Sequence, residues 1–129
     1  MEIYTLKISF TFDEDEEPWS KTIEVREDFS LQKMHKFIQK IVDFDDDHLY
    51  EFYVGKNPRK RYQTIPKKTL LHEIFPMTGY KLYYLFDFGD SWLFQITKSR
   101  KIRKEKTGKK YPALIASTGI NPEQYPDYE

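Results

Sequence analysis

The chain of 129 residues contains no cysteine. That excludes a disulfide framework and any thiolate metal site, leaves His35, His48 and His72 as the imidazole ligands, and points to a reducing, cytoplasmic setting. Long apolar runs are missing too. The richest, Leu82 to Phe86, is five residues long, far below the roughly 20 needed to cross a bilayer, so no membrane partner is expected. The opening Met1-Glu2-Ile3 alternates at once, without the basic and then apolar order of an export signal. There is no Gly-Lys-Ser/Thr phosphate loop, no Gly-x-Ser-x-Gly turn and no dinucleotide fingerprint, and no Ser pairs with His in a recognisable context. The sequence therefore leans away from an enzyme and implies no cofactor.

Rings are what the chain has in quantity: 10 Tyr, 10 Phe and 2 Trp. Each buried ring removes on the order of 150–250 Å² from water, so the interior is expected to be built on them. The length fits one domain over residues 1–129, with 117–129 as an extended C-terminal tail. Net charge is zero, yet residues 1–51 carry 6 Lys and Arg against 14 Asp and Glu, and residues 52–129 carry 15 against 7. Such a split suggests an oriented partner or head-to-tail association, unless the halves intermix in space. A monomer or weak self-association is expected.

Tyr4, Leu6, Ile8, Phe10 and Phe12 alternate with Thr5, Lys7, Ser9 and Thr11, the pattern of a half-buried strand. Trp19, Ile23 and Val25 resume that period beyond the acidic run Asp13 to Glu17, so the two segments predict a hairpin with a charged tip. Asp28 or Ser30 can cap a helix on which Leu31, Met34, His35, Ile38, Ile41 and Val42 share a face. The aspartates at 43, 45, 46 and 47 stop it. A strand is expected at about 48–55, a basic surface loop over 56–68, and a short helix over 69–75 capped by Thr69. Tyr80 to Phe88, apolar on both faces, is the candidate central strand. Asp87, Gly89 and Asp90 supply a turn that sends the chain back through Trp92, Phe94 and Ile96. The expected architecture is an α+β roll: a mixed or antiparallel sheet of about five or six strands on one main helix at about 30–42, plus the short helix. A ubiquitin-like grasp is the topological alternative.

Four segments carry a resemblance. They are Pro18-Trp19 with Ile23 and Val25; Leu31, His35, Ile38 and Gln39; His48-Leu49-Tyr50-Glu51-Phe52; and Tyr84-Leu85-Phe86-Asp87-Phe88-Gly89-Asp90-Ser91-Trp92. In order and spacing they resemble the plasmid pRiA4b ORF-3-like proteins, over roughly residues 3 to 123. The resemblance implies an uncharacterised, plasmid-associated kind of protein and brings no established activity. Members often have histidine where Tyr50 stands and near Phe94, and a proline-proline-glutamate-aspartate tail followed by paired glycines. This chain departs at all three places, reading Asn121-Pro122-Glu123-Gln124-Tyr125-Pro126 near its end.

Two clusters are candidates for function. His48, Asp87, Asp90 and Glu123 combine an imidazole with carboxylates, a set able to bind a divalent ion or share a proton, although no local ligand spacing supports it. The plainer reading is that Asp87 and Asp90 fix the turn and His48 ends a strand. The second cluster is basic: Lys56, Arg59, Lys60 and Arg61 in one stretch, and Lys98, Arg100, Lys101, Arg103 and Lys104 in another. With Tyr62 and Tyr111 nearby these could follow a phosphate backbone or another anionic partner. A pI near 6.8 and the lack of any nucleic-acid-binding motif favour a solvated basic hairpin instead. His35, on the apolar helix face, is expected to be a satisfied core histidine. The function favoured by the sequence is a protein-interaction or accessory module with an unknown protein partner. A weak nucleic-acid binder linked to mobile elements and a divergent metal-dependent enzyme are the alternatives.

Overall fold

A computed structural model describes residues 1–10, 19–75, 77, 79–87, 89, 92–122 and 124. The elements are β1 (Glu2–Phe10), β2 (Ser20–Arg26), α1 (Leu31–Val42), β3 (Tyr50–Asn57), β4 (Lys60–Ile65), α2 (Leu71–Ile74), β5 (Lys81–Phe86), β6 (Trp92–Lys104) and β7 (Ala113–Thr118). The strands form one sheet in the order β4-β3-β5-β6-β1-β2-β7. Every pairing within it is antiparallel.

The α+β expectation holds, with two corrections. The sheet has seven strands, because charge disguised one of them and half of another. Residues 56–68 read as a basic loop, yet Tyr62, Thr64 and Ile65 are good strand formers, and Asn57 Oδ1 accepts from the Arg59 and Lys60 amides to close a tight turn before β4. Likewise the basic stretch after Lys98 is not a hairpin of its own but the second half of the 13-residue β6. The helical part is two short segments of 12 and 4 residues, where a main helix at about 30–42 and a short one at about 69–75 were expected. A ubiquitin-like grasp requires a parallel pair at its centre, and the central pairings here run antiparallel. The middle strand is β6 and not β5, which lies beside it.

The β1–β2 hairpin pairs from Ile3↔Arg26 to Ser9↔Ser20; its acidic tip lies outside the described residues. Ser30, rather than Asp28, caps α1, its hydroxyl accepting from the Lys33 amide at 3.2 Å. Asp28 is held by Arg26 instead. At the other end Asp43 takes a left-handed conformation, φ 60°, and its amide closes on the Gln39 and Lys40 carbonyls. Thr69 does not cap α2. The amides of Leu71 and His72 donate to the Phe29 and Glu27 carbonyls, so the chain before α1 satisfies that helix end.

Leu31, Met34, Ile38 and Val42 of α1 bury against Leu6 and Ile8 of β1, Phe52 of β3, Leu82, Tyr84 and Phe86 of β5, and Phe94 and Ile96 of β6. The rings of Phe52, Tyr84 and Phe94 stack in a row across three strands, with centroids 4.8 and 5.6 Å apart. On the opposite face Tyr53, Tyr83 and Leu93 form a smaller cluster, so β5 is covered on both sides as its sequence implied.

Candidate functional site

The two ends of the sheet are built differently. At the upper end α1 finishes, β3 starts at Tyr50 opposite Phe86, and β6 starts at Trp92. His35 and Gln39, one turn apart on the buried side of α1, reach Tyr84 there. Gln39 Nε2 donates to the Tyr84 hydroxyl oxygen at 2.9 Å. The Tyr84 proton is then free for His35 Nδ1, 2.6 Å away, and Nε2–H donates to Asp46 Oδ1 at 2.8 Å. Lys36 Nζ donates to the second Asp46 oxygen at 3.2 Å. Every step is satisfied with a neutral imidazole.

The His35 ring lies flat on Tyr50, centroids 3.5 Å apart, and Lys67 Nζ sits 4.2 Å from the centroid of Tyr50. Burial lowers the His35 pKa and outweighs the opposing pull of Asp46. For Asp46, desolvation pushes upward, but the bonds from His35 and Lys36 prevail and hold the carboxyl below its usual range. Burial drives the Tyr84 phenol far upward. His35 is 1% exposed and Tyr84 fully buried, so this chain of bonds ties α1 to β5 in a dry site and meets solvent only at Asp46 and Lys36. Tyr50 and Phe94 belong to this same layer: Tyr50 stacks on His35, and Phe94 stacks on Tyr84.

Of the first predicted cluster, the structure brings His48 and Asp87 together, with Nε2 to Oδ2 at 3.4 Å, and adds Asp47 at 3.5 Å. Asp90 and Glu123 lie outside the described residues. Asp87, 6% exposed and at φ 59°, accepts from the Gly89 amide and donates its own amide to the Leu49 carbonyl. Among the described residues no group of three or more acidic or imidazole side chains could hold a metal ion. The same end is closed by the C-terminal segment. Gln124, 8% exposed, accepts from the Asp45 amide and donates to the Asp45 carbonyl and to Asp47. Asn121 bridges the Trp19 indole and the Ile41 carbonyl. The extended tail expected over 117–129 therefore begins inside β7 and docks at Asn121 and Gln124.

At the lower end β5 begins at Lys81, while β6 continues well past its last pairing with β5, Leu82↔Ile96. Thr97 and Lys98 and then Ile102 to Lys104 of β6 pair with β1 on one side, as far as Glu2↔Lys104, while residues 99–101 bulge out of the ladder between Leu6 and Tyr4. Among the described residues no strand pairs with the other side of residues 97–104. This overhang carries Lys98, Arg100, Lys101, Arg103 and Lys104 with no acid between them. Beside it lies a cavity of about 370 Å³, floored by Phe75, Met77, Tyr80, Leu82 and Ile96, with Lys81, Lys98 and Arg100 among its walls. Sequence reasoning found the charges but not the open backbone edge; a strand-like alternation running on from Phe94 and Ile96 was the available signal. The other basic stretch does not join it. β4 is separated from β6 by β3 and β5, and Arg61 turns onto the Tyr53 ring, 4.1 Å from its centroid, and pairs with Glu51.

No helix among the described residues is long and apolar enough to cross a membrane. Fold and site together define a class: a small α+β domain with one antiparallel sheet, locked by a buried His-Tyr-Gln network at one end and open along a basic strand at the other. The chain belongs to the plasmid pRiA4b ORF-3-like protein family, whose profile matches residues 2–125. It is similar to a solved structure, the protein of unknown function MM3350 from Methanosarcina mazei Go1, with a TM-score of 0.74 and 28% identity over 90% of this chain and 69% of that one. No curated protein matches.

Proposed function

We propose that this domain is a protein-interaction or accessory module whose docking element is the overhang of β6. The observation that carries this reading is that, among the described residues, no strand pairs with the outer side of residues 97–104, where only local side chains meet the Ser99 carbonyl and the Lys101 amide, next to an apolar-floored cavity. Unpaired strand edges bind extended segments of other chains through main-chain hydrogen bonds, and neighbouring pockets choose the side chains. A nucleic-acid reading is less well supported, because the two basic stretches stand on separated strands and Arg61 is committed to Tyr53 and Glu51. A metal-dependent enzyme has His48 and Asp87 to build on, but Asp87 is already engaged in fixing its turn.

Photocrosslinking in the native host tests the reading. A photoreactive residue at Ser99 or Arg103 is expected to give one discrete protein adduct that survives nuclease treatment, while the same residue at Lys33, on the exposed side of α1, gives none. Equal labelling at all three positions, or adducts that nuclease removes, would overturn it.

A further inference from the structure

We infer that the overhang of β6 takes an acidic, extended peptide as an added strand, seated in line with β5 and anchored by an apolar side chain in the cavity beside it. This rests on the interaction reading above and names the chemistry of the partner.

Three features converge on that occupant. The first is geometric. β6 continues past Lys81, where β5 begins, so among the described residues the lane beside Lys98–Lys104 has a strand for one wall only, bulged at 99–101. Met77 and Tyr80, from the segment that leads into β5, stand among the walls of the same cavity as Ser99 and Arg100. A strand added there gains main-chain hydrogen bonds of the kind β5 makes further up. The second feature is charge. Among the described residues Lys98, Arg100, Lys101 and Arg103 enter no ion pair, and Lys81 adds a further cation at the cavity. Glu2, opposite Lys104 in the β1 register, is the acid in the adjoining strand positions. The third is the apolar floor. Leu82 and Ile96 are fully or almost fully buried beneath it, while Ile102 stays 48% exposed on the overhang itself.

These features also discriminate. A second copy pairing through the same strand would set five cations against five, so like-charge repulsion rejects self-pairing. Acidic side chains on an incoming strand meet the cations of Lys98 to Arg103, the nearest acids, Glu2 and Glu105, lying at the far end beside Lys104. A phosphate backbone would satisfy the charges but neither the backbone donors and acceptors of a strand edge nor the apolar floor. In an added strand successive side chains alternate in direction, so a segment of alternating acidic and apolar residues matches both.

The test uses the full chain and a labelled peptide, acetyl-Glu-Val-Glu-Leu-Glu-Val-Glu-amide, read by fluorescence anisotropy and by amide exchange. Binding with slowed exchange at residues 97–104 is expected. Lys101→Glu with Arg103→Glu should weaken it by roughly tenfold or more. The same peptide with lysine for glutamate should not bind. A version methylated at alternate backbone nitrogens, with charge and side chains intact, should also fail. If the methylated peptide binds as well as its parent, strand addition is wrong. If a single-stranded deoxyoligonucleotide of equal length binds more tightly and displaces the peptide, the acidic-peptide assignment is wrong and the site belongs to nucleic acid. If no peptide binds while the Ser99 crosslink still forms, this inference falls and the interaction reading stands; loss of both defeats both.

Discussion

The upper end of the sheet is closed and the lower end is open, and side-chain bonding makes the difference. Above, α1, the 43–48 segment and the C-terminal segment are tied to the strands by His35, Gln39, Tyr84, Asn121 and Gln124, each bond reaching across many residues of sequence. Below, β6 runs on past its neighbour, its side chains exposed from Ser99 onward, with Lys98 half-buried over the Tyr4 ring. The fold concentrates its long-range side-chain bonds at one end and places the proposed recognition strand at the other. The charge asymmetry of the sequence survives in part. Asp43, Asp45, Asp46 and Asp47 gather above and the β6 cations below, although Lys109 with Glu24 and Arg26 with Glu105 stitch the two halves together.

The sharpest way to break this comparison is to cut the upper lock. His35→Ala removes a ring stacked on Tyr50 and leaves the Tyr84 hydroxyl with one partner fewer in a dry site. A cavity plus an orphaned donor costs about 3–4 kcal/mol, read as a lower urea midpoint with unchanged slope. Tyr84→Phe keeps the ring row and deprives His35 Nδ1 and Gln39 Nε2 of the oxygen between them. A loss of about 2 kcal/mol is expected. A loss below about 0.5 kcal/mol for either variant would show that the network does not hold the upper end.

Acid should open the same lock. His35 has a lowered pKa in the fold, so the unfolded chain takes up a proton first as pH drops below the ordinary imidazole value of 6.5. Its contribution is complete above that pH and declines below it. Asp46, also lowered, gives stability that is present above its ordinary value of 3.8 and lost as pH falls further. The urea midpoint should therefore fall in two stages on acidification, and His35→Gln should flatten the first. A midpoint that rises between pH 7 and pH 5 in the parent protein would contradict the neutral imidazole.

Gln124→Ala makes a smaller cut. It leaves the Asp45 amide and carbonyl without the side chain that now bridges them, at a cost of about 1 kcal/mol. Faster exchange of the Asp45 amide, with that of residues 97–104 unaltered, is the accompanying sign that the two ends are independent.

How legible these ends were in the sequence follows from the range of the interactions. The hairpin of β1 and β2, the α1 face and the Asp87 turn depend on periodicity and local bonding, and the residues carry both signals openly. β4 was hidden because Lys60 and Arg61 weigh toward solvent, and an edge strand tolerates that on its outer side. Gln39 was passed over in favour of Ile41 on the buried face, since a polar side chain is buried only when a partner is waiting, and Tyr84 stands 45 residues away. The overhang was beyond reach for a similar reason. That β6 outlasts β5 is a fact about pairing register, and register appears only when both strands are placed.

The smallest expected effect bears most directly on the open end. Lys101→Glu with Arg103→Glu reverses two exposed charges that enter no ion pair among the described residues. Exposed charges contribute little to folding, so the urea midpoint should move by less than about 0.5 kcal/mol in equivalent stability. Relief of repulsion among the five cations could even raise it slightly at low salt, an effect that should fade as salt is added. A loss on the scale of Tyr84→Phe would mean that the overhang is part of what holds the sheet together. The contrast between a locked end and a free one would then be wrong, because residues 97–104 would be serving the fold and not a partner.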